Sequence, residues 1–438
     1  MKKLLRRVFS SIVILLIMGI IAAIFIQLPL RQHIWNAGLL TQTPSAHYTS
    51  PIIVAHSTQQ NENNTSPTES HTPTVTPSVS THSGAISKGS ASGTLSGTSS
   101  GPTNTTIPST IPHAVGAHLV NAQGQPLVLH GAQIESSFIN PTSWFSGNMP
   151  TTLFTETLFI TMAQGWNMNA VRLPLSNWIY ARDSINYVNQ LDVVVQRANA
   201  AGLYVILDLH DNAKSGSPYG TNVPFPKTED ITFWRTIAGH FQSNPMVMFD
   251  VFNEPQSNGW QAWLHGGGTV DGATIVGMQD LVNAIRSVGA RQIVIVEPGL
   301  GAVWYGITGY LINDANVMYS LHIYSGIASS AQSLDNAWSS LLNHYPIFYG
   351  EWGAIVNTYT PVQCGTIPHA QADQIVTNFL NYMASRNANW TAWEFTPYHL
   401  IQDYTTFTPT TLDIPWTCGD TTSHAGMGTI VRNFLTGK

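Results

Sequence analysis

From Pro112 onward the sequence repeats one pattern, a short apolar run followed by a longer stretch with apolar residues at helical spacing. Eight such runs occur, at Leu127–Ile134, Ala170–Leu173, Tyr204–His210, Val247–Phe252, Gln292–Val296, Val317–Ile323, Ile347–Gly350 and Thr391–Glu394. Short apolar runs bounded by polar or turn residues read as strands covered on both faces. Between them, Leu191, Val194, Val195 and Ala198 form one face of a helix over Leu191–Ala201, and Gly202 supplies its stop. Leu281, Ile285 and Val288 repeat at helical spacing over Gln279–Val288, as do Ile375, Val376, Phe379, Leu380 and Met383 over Ala372–Arg386. Strands alternating with helices call for a parallel sheet of the α/β class. Eight units within residues 112–438 favour a closed (β/α)8 TIM barrel, although periodicity alone leaves an open doubly wound sheet standing.

Two different segments precede this domain. Lys2, Lys3, Arg6 and Arg7 stand ahead of a nearly unbroken apolar run, Val8–Leu30. A bilayer span needs about 20 apolar residues, whereas the apolar region of a cleaved signal has roughly 7–15. The run fits the span, and its basic flank keeps the N-terminal side in the cytoplasm. Residues 1–35 are therefore expected to form a signal-anchor transmembrane helix that leaves the rest extracellular, with a long cleaved signal as the alternative. Residues 36–111 change character to Ser, Thr, Pro, Gly and Asn, with Glu62, Glu69 and Lys88 the only Asp, Glu, Lys or Arg after Thr41 in this stretch. Such a stretch has too little apolar area to offset its ordering entropy, so a disordered linker is expected.

Charged residues make up only 9% of the chain, and the net charge of −6 includes no long basic stretch, which excludes a nucleic-acid partner. The few polar residues of the C-terminal domain fall at the ends of the strand runs, where a barrel keeps its chemistry. The second run carries Arg172; the third ends in His210; the fourth leads into Asn253-Glu254-Pro255. The sixth ends His322-Ile323-Tyr324, the seventh Gly350-Glu351-Trp352, and the eighth Trp393-Glu394. Two carboxylates on one rim, tuned apart by their neighbours, are what glycoside hydrolysis needs: one stays protonated for the leaving oxygen, the other ionised for attack. Arg172 beside Glu351 would favour the ionised form. Asn253 could hold a sugar hydroxyl, Tyr324 could orient the nucleophile, and Trp393 offers a ring face. Singly these residues say little, since a lone Glu at a strand end is more often structural and His210 alone reads as a hydrogen-bonded rim residue. Their joint placement at successive strand ends carries the argument.

With that set in place, the sequence from about residue 113 to the end resembles glycoside hydrolase family 5, which includes many cellulases. The resemblance implies a TIM barrel, double displacement with retention and no metal or other cofactor. It implies Glu254 as acid/base and Glu351 as nucleophile, with Arg172, His210, Asn253, His322, Tyr324 and Trp393 in supporting positions. The substrate it suggests is a β-linked polysaccharide, foremost a β-1,4-glucan cut by an endoglucanase (cellulase), with an endo-β-mannanase or another β-glucanase as the alternative. Outside the shared set, Val296-Glu297-Pro298 ends the fifth run, the wrong strand for the catalytic pair, before a Gly-rich turn reaching Trp304. Trp304 is a candidate sugar-stacking residue, and Trp144, Trp178 and Trp260 are weaker ones. Cys364 and Cys418 follow the seventh and eighth runs, neighbours on a closed barrel, and are expected to form a disulfide in an exported protein, with two free thiols as the alternative. They lack zinc-site spacing. A monomer is expected.

Competing classes fit less well. Gly97-Thr98-Ser99-Ser100-Gly101 matches a serine-esterase elbow, and His265-Gly266-Gly267-Gly268 resembles an oxyanion motif. The first lies in the linker and precedes the second, the reverse of the esterase order. A tethered glycan-binding protein on a degenerate barrel would have lost a carboxylate, and both are present.

Overall fold

The computed structural model describes residues 110–134, 138–211, 224–257, 259–270, 272–299, 303–324, 330–353, 369–397, 399–410 and 425–438. The expected transmembrane and linker segments, Cys364 and Cys418 lie outside them. Among the described residues no helix is long and apolar enough to cross a membrane.

Three short strands, β1 (His113–Val115), β2 (His118–Val120) and β3 (Pro126–Leu127), form an antiparallel sheet. Eight parallel strands then close a barrel: β4 (His130–Gln133), β5 (Ala170–Ser176), β6 (Tyr204–Asp211), β7 (Val247–Asp250), β10 (Val294–Val296), β11 (Val317–Tyr324), β12 (Ile347–Gly353) and β13 (Asn389–Ala392). A hairpin of β8 (Gly266–Val270) and β9 (Ala273–Val276) is inserted after β7. Each barrel strand pairs with its chain neighbour, and β13 pairs with β4 to close the ring. The open sheet is thereby ruled out.

Helices follow the strands as expected, longer than expected at Ser184–Ala200 and His369–Ser385 and shifted by one residue at Met278–Ser287. The regular alternation fails once: between β10 and β11 the described residues hold turns and no helix. The first apolar run also divides. Its start, Leu127, pairs with β2, and only His130–Gln133 enters the barrel. The last strand begins earlier than its apolar run because Asn389 substitutes for backbone: its Oδ1 accepts from the Leu129 N–H, and its Nδ2 donates to the Ile347 carbonyl.

Alternation along the strands divides the interior. Ala170, Ile206, Met248, Ile295, Met318 and Phe348 pack with Leu119 of β2 into an apolar floor. The outward residues, such as Val171, Leu173, Val205, Leu207, Val247 and Phe249, join the core under the helices. Two residues beyond the floor positions on successive strands stand Arg172, Asp208 and Asp250, with Glu297 likewise placed just past β10 and Ser320 on β11. All five are buried. A polar layer therefore rests directly on an apolar one.

Candidate active site

The polar layer is organised by Arg172, whose side chain is 0% exposed. Its Nε donates to Asp250 Oδ2 at 3.0 Å, and its Nη1 to Glu351 Oε1 at 2.8 Å and to Gln133. Its Nη2 donates to Asn253 Oδ1 at 2.9 Å and to Glu297 Oε1 at 3.3 Å, and lies 3.1 Å from Asp208 Oδ1. Burial alone would lower the pKa of this guanidinium, but Asp208, Asp250, Glu351 and Glu297 together hold it well above its usual value. An unpaired charge at this depth would be prohibitive; the paired one fixes five strand ends in register. Burial pushes the Asp250 carboxyl well above the usual range, against the pull of Arg172.

Two β-bulges aim the rim residues. On β6 the register with β5 shifts so that Leu209 faces Leu175 and Asp211 faces Ser176, leaving His210 as the extra residue. Its Nδ1 lies 2.7 Å from Asp208 Oδ2, and its ring is near-parallel to that of Trp393 at 6.2 Å. Burial lowers the pKa of His210, but Asp208 outweighs it and the net direction is upward. On β12 Tyr349 faces Leu321 while Glu351 faces His322, so Gly350 is the extra residue. A Cβ at Gly350 would lie 2.7 Å from Ser320 Oγ and 3.0 Å from His322 Nε2, which is why glycine stands there. The bulge turns Glu351 into the barrel mouth, 3% exposed.

Glu254 reaches the same point from β7. Its backbone sits at φ 44°, in the left-handed region, and its N–H donates to Glu297 Oε2 at 2.9 Å. His322 Nδ1 lies 2.9 Å from Glu254 Oε1 and 3.4 Å from Glu351 Oε2. Its Nε2 approaches Glu297 Oε1 to 2.9 Å, an ion-pair approach without the alignment of a good hydrogen bond. Burial would lower the His322 pKa, but Glu297 and Glu351 drive it well above 6.5. Burial would raise Glu297, but His322 and Arg172 hold its carboxyl below the usual range. The Tyr324 hydroxyl donates to Glu351 Oε2 at 2.5 Å; burial, then Glu351, raise its pKa far enough to keep the phenol protonated.

The structure thus gathers Arg172, His210, Asn253, Glu254, His322, Tyr324, Glu351 and Trp393 at one end of the barrel. It does not bring Trp304 there. That indole is 0% exposed, stacks on Trp260 at 5.6 Å and donates to the Ser320 carbonyl, so it is core rather than a sugar platform. Trp144 is likewise buried, donating to Asp183. Trp178 is half-buried, with the Arg182 guanidinium 3.4 Å from its ring centre. Gln133, Asp208 and Asp250 were not singled out in the sequence, and Glu297 was set aside. Their signal was a polar residue two positions beyond an inward apolar one, obscured because each run reads as apolar overall.

Oxygens of Glu254 and Glu351 and a ring nitrogen of His322 lie within 4.8 Å of one another, the spacing of a three-ligand cation site. His322 Nδ1 already lies within hydrogen-bonding reach of Glu254, so the trio forms a hydrogen-bonded cluster in its own right.

A family model described as Cellulase (glycosyl hydrolase family 5) matches residues 120–399. Endoglucanase E-5 of Thermobifida fusca is 25% identical over 284 residues, covering 64% of this chain and 54% of that protein. An endoglucanase of Paenibacillus polymyxa is 26% identical over 292 residues, 56% of this chain and 71% of that one. The chain spans about half the length of the first of these. In fold, it is similar to a β-glucanase of Saccharophagus degradans solved with cellotetraose, at TM-score 0.58 and 20% identity, covering 76% of this chain and 95% of that one. It is also similar to the catalytic domain of the Thermobifida fusca endoglucanase, at TM-score 0.52 and 22% identity, covering 74% and 97%.

Proposed function

The chain belongs to glycosyl hydrolase family 5, the cellulase family, and on that footing we propose that it hydrolyses β-1,4-glucan internally and with retention at the anomeric carbon. The observation that carries the reading is the close meeting of Glu254 and Glu351, within 4.8 Å by their nearest ligand atoms. Retaining enzymes hold their carboxyl groups about 5–5.5 Å apart and inverting ones roughly 6.5–9.5 Å, to admit a water.

In this reading Glu351, held by Arg172 on one oxygen and Tyr324 on the other, attacks the anomeric carbon. Glu254, the more exposed of the two, protonates the departing oxygen. Water then enters, Glu254 takes its proton, and the glycosyl–Glu351 ester is released. Asn253 is positioned by Arg172 to receive a sugar hydroxyl, and Trp393 with His210 lines the cleft.

The names of the curated relatives support a β-1,4-glucan substrate. A panel of carboxymethylcellulose, mixed-linkage β-glucan, mannan and xylan tests it: preference for the first supports the reading, and preference for mannan replaces it with the mannanase alternative. Proton NMR of the first product from an aryl β-cellobioside tests retention, and initial α-cellobiose would overturn it. Glu351→Ala is expected to lower turnover by at least about 10⁴-fold, within the rate enhancement that enzymes supply. The apolar Val8–Leu30 run with its basic flank supports display outside a membrane on a flexible linker. Release of the protein from membranes by alkaline carbonate would sink the anchor.

A further inference from the structure

Glu297 touches three things at once. Its Oε1 lies 2.9 Å from His322 Nε2 and 3.3 Å from Arg172 Nη2, and its Oε2 accepts the Glu254 N–H at 2.9 Å. It is 2% exposed, and both of its oxygens are taken up by protein groups. We propose that Glu297 is a positioning residue for the proton cycle: one carboxylate fixes both the ring of His322 and the backbone of Glu254. This rests on the reading of Glu254 as acid/base.

The argument runs through His322. A carboxylate 2.9 Å from Nε2 favours, by its charge, a proton on that nitrogen, while Nδ1 faces Glu254 and Glu351. Were His322 an uncompensated cation, its charge would favour ionised Glu254 and strip the acid of its proton. Glu297 offsets that charge from the side away from the cleft. Its second oxygen ties down the left-handed backbone at Glu254, a conformation that non-glycine residues hold only with support. The other charged or titratable groups around this pair are Arg172 from β5, Asp208 from β6, Asp250 from β7, Tyr324 from β11 and Glu351 from β12. Among the described ion pairs only that of Glu297 is made at Nε2, while Glu254 and Glu351 approach Nδ1.

The test compares the full-length protein with Glu297→Gln on aryl β-cellobiosides of graded leaving-group ability. Glutamine keeps the size and an acceptor for the Glu254 N–H but removes the charge. Glycosides with poor leaving groups need the acid, so their kcat/KM should fall roughly 10- to 100-fold, part of what general acid–base catalysis supplies. Dinitrophenyl glycosides, which leave unaided, should lose little. The alkaline limb of kcat/KM should move to lower pH by about one unit, because losing the nearby Glu297 charge favours ionised Glu254. An equal loss for all leaving groups with unmoved pH limbs would overturn the proposal. If the variant does not fold, ring ¹⁵N spectra of the unaltered protein decide: Nε2 of His322 should carry a proton from about pH 5 to 8, and a bare Nε2 overturns the proposal. Absence of any turnover by the unaltered protein would instead overturn the glycosidase reading.

Discussion

At the scale of single residues, the site is a set of charges too deep to be left alone. Replacing Arg172 by Ala would strand buried acids that now share one cation, and a loss of about 3–5 kcal/mol is expected on chemical denaturation. Tyr324→Phe removes only the donor to Glu351; kcat should fall roughly 10- to 100-fold while the melting temperature stays put, consistent with loss of one preorganised hydrogen bond. The raised pKa values of His322 and Asp250 have a common sign. For each, the native state binds a proton more tightly than the unfolded chain, so its stabilising contribution is complete below the unfolded pKa and is lost as pH rises through the folded one. Thermal stability should therefore decline on the alkaline side. Asp250→Asn, which keeps an acceptor for Arg172 without the buried charge, should flatten that decline when melting curves at neutral and alkaline pH are compared. Most of the rim was legible in the sequence because its residues stand where apolar runs end. Asp208, Asp250 and Gln133 were not, because they sit inside those runs, where a short window averages them away.

At the scale of elements, the two bulges do what strand order alone cannot. The one at Gly350 turns Glu351 into the mouth against the simple alternation of β12, and the one at His210 resets the register at the end of β6. No sequence signal marks a bulge apart from Gly350 itself, and a glycine before an acidic residue is common. Gly350→Ala should displace His322 or Ser320, lowering stability by about 1–3 kcal/mol and turnover along with it. Trp304 shows the opposite failure. A Trp after a Gly-rich turn looked like a sugar platform, yet the chain folds it under Trp260 and against Tyr319. Trp304→Ala should thus cost about 3–5 kcal/mol of stability and leave the KM for soluble glucan unchanged in whatever fraction folds. A raised KM with an unchanged melting temperature would restore the platform.

At the scale of the whole domain, closure by the β13–β4 pair was legible only as a preference, since the periodicity fits open and closed sheets alike. That strand pair is reinforced by polar side chains such as Asn389, whose bonds to both neighbouring strands have no counterpart in a hydrophobicity pattern. The layering inside the ring has a further consequence. Beneath the Arg172 layer the described residues form an apolar floor with Leu119 set into it, and the strands are sheathed by the outer core. Among the described residues this leaves the polar mouth as the easier route for protons to the buried charges, and there a polysaccharide would lie. A bound glycan would act as a stopper, trapping whichever protonation state was present when it arrived. The free protein would sense the surrounding pH and the occupied one would carry a memory of it, so kcat should vary with pH less steeply than kcat/KM.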